Sequence, residues 1–449
     1  MTGPGVSNIR VSGGAGGLAA QYEDLAAMGR LTDDVAEDTL GIAAISQKYS
    51  ADPDVIASAV LDPIGAARFE TAILTALDGP RGLAATSVTI GLRGAAFRAT
   101  AAAYQMTDEL NAKAIDAARW MEGAVLPVAL PVAGGIVGAM AADVHLHYDG
   151  DWERYLVNHP GAVDQLIGMA PGALRSLGLP ITQAGLTTLL ASAYPAEGAP
   201  KLTNLGLDDN RTTPPHNLKD LVNELAYRNK EKIVYSANGP TIPNIDVRKV
   251  IGADGTTSYI VDIPGTKVWN FPGCDHGSAN DLGANLNAMA GNPTTLEAGV
   301  RDALSQAGAG PSDPVMLVGH SQGGIVAARA ANDFVTSGQY NVTHVVTAGS
   351  PIGRIPIPDN VQVLSLENSG DIVPHLDASD NPATANRTTV TFDHQTGSVG
   401  GNHELEGNYV AAAEQLNNST DPSVQAFQNS ASNFLNGSQI QTHQYQVKR

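Results

Sequence analysis

The stretch Val315-Met316-Leu317-Val318-Gly319-His320-Ser321-Gln322-Gly323-Gly324 decides how this chain is read. Four apolar residues lead into Gly319, and Ile325-Val326-Ala327-Ala328-Arg329-Ala330 follows as a good helix former. The pattern is a strand, a sharp turn and a helix, with a serine at the apex. Glycine is needed two residues before and two after Ser321, because a Cβ there meets the neighbouring strand or helix in so tight a turn. A bare Gly-x-Ser-x-Gly means little in a chain with 48 glycines. Its flanking strand and helix make Ser321 the candidate nucleophile.

The period is strand-like on both sides of this turn. Upstream, Val247–Ile251 and Thr257–Ile263 flank the turn Ala253-Asp254-Gly255. The second strand ends in Pro264-Gly265-Thr266. A tight loop there can aim backbone N–H groups at a developing negative charge. The N–H of Thr266 or Gly265, paired with that of Gln322, is the expected oxyanion pair. Downstream, His344–Ala348 ends in Gly349-Ser350-Pro351, and Val361–Leu366 ends in Glu367-Asn368-Ser369-Gly370-Asp371. An acid in a turn just past a strand end can be held rigidly enough to fix an imidazole tautomer. Asp371 is that candidate, ahead of Asp377 and Asp393. After a strand over Thr389–Phe392, a loop leads to His403 at the start of a helical segment, 404–416. His403 is the expected base, ahead of His394. His375 lies too close to Asp371 in sequence, and His320 reads as packed or pocket-lining. Residues 275–292 read as a polar loop bordering the site, and 439–448 as an edge strand.

The order Ser321, Asp371, His403 is the Ser–acid–His order of one superfamily. The blocks VMLVGHSQGG, VVTAGSP, ENSGDIVP and NHELEGNY together resemble the α/β-hydrolase superfamily, in its lipase- and esterase-like branches, over about residues 245–449. The resemblance implies a mostly parallel sheet flanked by helices and a serine hydrolase that cleaves carboxylic esters, lipid or acyl esters foremost, through an acyl-enzyme. It implies no metal and no organic cofactor. The same triad serves an acyltransferase, in which an alcohol replaces water. A third reading keeps the hydrolase fold as the non-catalytic scaffold of a secreted interaction protein.

The N-terminal part is different in kind. Residues 1–17 read as a flexible Gly/Ser-rich leader. Helical periodicity begins near Leu18 and is interrupted at Asp52-Pro53 and at Asp78-Gly79-Pro80-Arg81-Gly82. An all-α helical hairpin is expected. Tyr104 and Asp108 share a helix face at i and i+4. This Tyr-x-x-x-Asp resembles the export signal of the small helical-hairpin proteins handled by type VII secretion in actinobacteria, over roughly residues 15–115, although no Trp-x-Gly occupies the turn. The resemblance implies a secretion machinery as partner and a secreted or cell-envelope location. A cytoplasmic location is the alternative. No charged start followed by an apolar core marks a cleavable signal peptide.

Bulk properties narrow the classes. The chain has 449 residues, 43% of them hydrophobic and 16% charged, which suits two or three folded domains. Its net charge of −19 argues against nucleic acid as partner and against electrostatic docking on anionic membranes. The single cysteine, Cys274, excludes an internal disulfide. Residues 123–142 carry no charge over 20 positions, but Pro127, Pro131 and Gly134-Gly135 break them. They read as a buried, kinked segment or a membrane-contacting one. The alternating His and Asp of 143–151 match no metal-ligand spacing. The expected domains are a helical module (1–122), a connector or cap (123–232) and an α/β-hydrolase domain (233–449). For the export reading, changing Tyr104 and Asp108 together to Ala stops secretion and leaves ester turnover in lysates unchanged. Comparing culture filtrate with lysate checks it.

Overall fold

The computed structural model describes residues 5–16, 18–79, 81–99, 144–145, 147–159, 183–230, 244–269, 272–273 and 277–449. Tyr104, Asp108, the uncharged stretch 123–142 and Cys274 lie outside them. The chain divides into two compact units. One is Leu18–Ala114. The other joins residues 1–17 to 115–449.

The first unit contains α1 (Leu18–Ser46), α2 (Pro53–Leu61), α3 (Pro63–Asp78) and α4 (83–99). The helix runs through Thr32-Asp33, because the Thr32 hydroxyl donates back to the Met28 carbonyl at 2.6 Å rather than capping a new start. Asp33 instead pairs with Arg98 on α4, and Ser87 Oγ donates to the Ala36 carbonyl at 2.7 Å. Two Asp-Pro steps break the chain where sequence reading marked only one. Asp52 accepts from the Asp54 N–H at 2.8 Å, and Asp62 from the Gly65 N–H at 2.9 Å. Each is an N-cap with proline at the first helical position.

The second unit is built on one nine-stranded sheet with strand order β1-β8-β7-β6-β5-β4-β3-β9-β2. The strands are β1 (Ser7–Gly13), β2 (Lys201–Leu207), β3 (Ile245–Ile251), β4 (Thr257–Ile263), β5 (Pro314–His320), β6 (Asn341–Ala348), β7 (Gln362–Asn368), β8 (Arg387–Asp393) and β9 (Gln439–Lys448). β4 to β8 are parallel, and the outer pairs are antiparallel. Strand side chains alternate between two buried layers. Val315 and Leu317 enter one, with Tyr259, Val261 and Ile263. Met316 and Val318 enter the other, with Ile260 and Val346. Burial on both faces explains why the central strands read as continuous apolar runs. Each such side chain contributes about 1.5–3 kcal/mol relative to exposure.

Helices cover both faces. The helices of this unit include α5 (Trp152–Asn158), α6 (Gln183–Ala191), α7 (Leu218–Lys230), α8 (Leu282–Met289), α9 (Thr295–Gln306) and α10 (Gln322–Thr336), followed by Val410–Leu416 and Pro422–Ser430. α9 and α10 supply Leu296, Val300, Val326 and Ala330 to the first layer. α7 supplies Leu218, Leu221, Val222 and Leu225 to the second.

Four expectations are corrected here. Residues 7–13 are not a loose leader: they form an edge strand antiparallel to β8. β9 is not an edge, because β2 pairs with its outer side. The segment 275–292 is not all loop: Asp281 accepts from the Ala284 N–H at 2.9 Å and starts α8. The sheet unit does not begin at 233, since β2 and α7 belong to its sheet and core.

Buried charge ties α7 to the sheet. Asp246 on β3 accepts from Arg228 Nε at 2.8 Å and from Arg211. Asp262 on β4 pairs with Arg248 through two oxygens, at 2.6 and 2.7 Å. Arg211 also reaches Glu224 at 2.5 Å. Burial opposes the Arg211 charge, but Asp246, Asp262 and Glu224 outweigh it and raise its proton affinity. Arg228→Ala strips one partner from the fully buried Asp246 and lowers unfolding free energy by about 3–5 kcal/mol. The urea midpoint of the sheet unit reads this loss.

Candidate active site

Ser321 stands between β5 and α10 with φ 55° and ψ −121°. A positive φ at a non-glycine residue costs about 1–3 kcal/mol and persists only where surroundings enforce it. Those surroundings are specific. A Cβ on Gly319 would strike the Gly323 carbonyl, and a Cβ on Gly323 would strike the Ile263 carbonyl at the end of β4. The Ser321 N–H donates to the Ala348 carbonyl of β6 at 3.0 Å. The turn is therefore held from both neighbouring strands.

His403 and Asp371 meet directly. The imidazole Nδ1 lies 2.6 Å from Asp371 Oδ2. Asp371 is fully buried and His403 is 18% exposed. Asp371 Oδ1 accepts the Val373 N–H at 2.9 Å, which locks the acid into its turn. His403 also packs on the residue that precedes the serine. The His320 ring lies 4.5 Å from the His403 ring, tilted by 30°. His320 Nε2 is 3.0 Å from the His403 carbonyl. A carbonyl only accepts, so this nitrogen carries the proton. Burial, then the neighbouring His403, pushes the His320 pKa well below its ordinary value and keeps the ring neutral. Among the described residues the Ser321 hydroxyl has no hydrogen-bond partner, a common state of catalytic contacts without substrate.

The expected oxyanion groups separate. Gln322 opens α10, where first-turn N–H groups lack intrahelical acceptors. The Gly265 N–H is already given to Asn229 Oδ1 at 3.1 Å. The Thr266 N–H has no acceptor among the described residues, and Asn285 Nδ2 fixes the Thr266 hydroxyl at 2.7 Å. Thr266 is thus the better placed of the two. Gly265 has a steric role: a Cβ there would lie 3.0 Å from Ser321 Cβ and 3.1 Å from His320 Nδ1.

The competing acids have other work, and His394 is tied through its backbone. Asp393 takes Asn8 and Ser369 Oγ, at 2.8 and 2.6 Å, and pairs with Arg10. Asp377 accepts the N–H groups of Arg354 and Ser379. His394 donates its backbone N–H to Asn368 Oδ1 at 3.0 Å. No group of three or more His, Cys, Asp or Glu able to hold a metal occurs among the described residues. None of their helices is long and apolar enough to cross a membrane.

Sequence reading missed three supporting residues. Asn368 Nδ2 bonds the carbonyls of His394 and Asn402, at 2.8 and 2.9 Å. Asn402 Nδ2 returns to the Gly370 carbonyl at 2.8 Å. Together they clamp the acid turn to the histidine loop. Tyr409 Oη lies 2.6 Å from Asp371 Oδ2. The only signal for the two asparagines was their place beside the acid and the histidine, in Asn-Ser-Gly-Asp and Gly-Asn-His.

Residues 280–425 match the family model described as a PGAP1-like alpha/beta domain. This is an α/β-hydrolase-type family. The matched part carries Ser321, Asp371 and His403, and its sheet is mostly parallel and flanked by helices. No curated protein and no solved structure matched the chain.

Glu367, four residues before Asp371, supplies a pH signature. Burial foremost, with Asp377 and Asp380, pushes its carboxyl up to about 7. A folded pKa above the unfolded value means the native state holds the proton longer. Stability is then fully present below about 4.5, the ordinary value, and is lost as pH rises through about 7. Glu367→Gln removes this loss. Its urea midpoint gains on wild type progressively between pH 4.5 and pH 7, and a constant difference across that range contradicts the assignment.

Proposed function

We propose that this protein is a serine hydrolase of carboxylic esters, acting on acyl or lipid esters. The observation that carries the reading is the 2.6 Å His403–Asp371 contact, taken together with a serine held in a strained strand–helix turn. The PGAP1-like match supports the hydrolase class.

In this reading Ser321 Oγ attacks the ester carbonyl while His403 Nε2 takes its proton. A new Oγ–C bond forms, and the carbonyl electrons move to oxygen. The N–H groups of Gln322 and Thr266 receive that charge, each worth about 3–4 kcal/mol in the transition state. His403 returns the proton to the leaving alcohol as the C–O bond breaks. Water, activated by the same imidazole, then attacks the acyl-enzyme and releases the acid. Asp371 holds the imidazole in the tautomer with hydrogen on Nδ1 and stabilises the imidazolium, without accepting its proton.

An apolar substrate class is supported by what surrounds these loops. Trp269, three residues beyond Thr266, is 73% exposed. Trp152 is exposed on α5, whose Glu153 accepts the Val399 N–H at 3.1 Å, at the turn just before His403. Both are exposed amphipathic side chains, one following the Gly265-Thr266 loop in the chain and one on the helix that holds Val399.

Ser321→Ala abolishes labelling by a fluorophosphonate probe and lowers ester turnover by at least about 10³-fold. Mass spectrometry of the labelled peptide and a panel of esters of graded acyl length measure both. Turnover retained in clean Ser321→Ala protein removes the serine from the reaction.

A further inference from the structure

Asp371 Oδ2 receives two donors, not one. His403 Nδ1 and Tyr409 Oη each lie 2.6 Å from it. The direction of the second bond is settled by the hydroxyl's other neighbour. The Asn368 N–H donates into Tyr409 Oη at 3.4 Å, so the single hydroxyl proton goes to the carboxylate. Burial first, then the Asp371 charge, drives the Tyr409 pKa well above its ordinary value. The group stays a phenol throughout the neutral range.

The backbone is bent to make this meeting possible. Residues six apart on a regular helix do not share a face. Between His403 and Tyr409, Glu406 is extended (φ −69°, ψ 139°) and Gly407 is left-handed (φ 76°). That kink brings both side chains to one oxygen. The tyrosine ring is fully buried and packs edge-on against Phe392, with centroids 5.3 Å apart. Gly349, at φ 60°, leaves the necessary space. A Cβ there would lie 2.7 Å from Tyr409 Oη, 2.9 Å from Asp371 Oδ2 and 3.1 Å from His403 Cε1.

We propose that Tyr409 is a positioning residue of the acid: its hydroxyl fixes which carboxylate oxygen the imidazole meets and moderates that carboxylate's hold on the imidazolium. The proposal rests on the serine-hydrolase reading of the same site. The titratable groups facing His403 are Asp371 from the turn after β7, His320 from the end of β5, and Tyr409. His320 is held neutral. Lys267 acts on His320, and Glu367 on Tyr409. Glu404, next in sequence, is exposed.

The sign of the effect follows. Without the tyrosine donor, the charge on Asp371 Oδ2 is shared with one partner fewer and attracts the imidazolium more strongly. The neutral imidazole that accepts the Ser321 proton then forms only at higher pH. In the full chain, Tyr409→Phe moves the acidic limb of the kcat/KM profile up by about 0.5–1 pH unit. It lowers kcat roughly 3–10-fold near neutrality and leaves KM unchanged. Replacing Tyr409 by 3-fluorotyrosine keeps the packing and strengthens the donor, so the limb moves down. This second variant also covers the case in which Tyr409→Phe fails to fold. The His403 Nδ1 proton resonance moves in opposite directions in the two proteins. A limb and a resonance that stay fixed in folded variants overturn the proposal. Lack of Ser321 labelling in wild type overturns the hydrolase reading instead, and the resonance still tests the tyrosine.

Discussion

Gly323 has no room for a side chain, because the Ile263 and Pro264 carbonyls at the end of β4 occupy the place of its Cβ. This close approach locks α10 against the strand beside its own. It fixes the turn at β5, where Ser321 takes its left-handed conformation. It also fixes the exit of β4, which continues into Gly265-Thr266. The candidate nucleophile and one wall of its surroundings are thus placed by a single steric contact. A hydrogen bond holds the other side, from the Ser321 N–H to Ala348 on β6. Strain at the serine persists because three strands and a helix would have to separate to relieve it.

The acid and the histidine depend on a second tight place. Gly349 directly follows Ala348, and it leaves room for Asp371, His403 and Tyr409 to converge. Ala348 accepts from Ser321 on one side, and its successor faces the acid on the other. β6 therefore transmits the position of one half of the site to the other. Parallel strands suit this arrangement, since their carboxyl ends all open on one edge of the sheet.

Much of this was legible because it rests on local chemistry. Elbow glycines, an acid just past a strand end and a histidine before a helix are short-range patterns. Apolar runs in the central parallel strands, such as Val315–Val318 in β5, announce a sheet buried on both faces. The missed strands lack that signature. Ser7–Gly13 and Lys201–Leu207 lie at the two edges, mostly exposed, with serines, asparagines, a lysine, an arginine and a threonine among them. Their partners lie hundreds of residues away, and no local period reveals such pairing. Tyr409 was hidden for a related reason. Its contact with Asp371 needs the kink at Glu406-Gly407, and a helical reading of 404–416 points the side chain elsewhere.

The family match and the sheet do not coincide, and the mismatch locates the rest of the site. Residues 280–425 contain β5 to β8 and the three candidate catalytic side chains. β1, β2, β3, β4 and β9 lie outside that range. So does Thr266, the second candidate oxyanion donor, and so does Asn229, which takes the Gly265 N–H. Asn229 stands on α7, and α7 is tied down by Arg228 against Asp246 on β3. The buried ion pairs of that helix therefore bear on the candidate oxyanion loop as well as on stability. Lys267 Nζ bonds the Asn229 carbonyl as well, adding a second tie between helix and loop. A charge cluster some distance from the serine thus sets how firmly the loop beside it is held, through one helix and one asparagine.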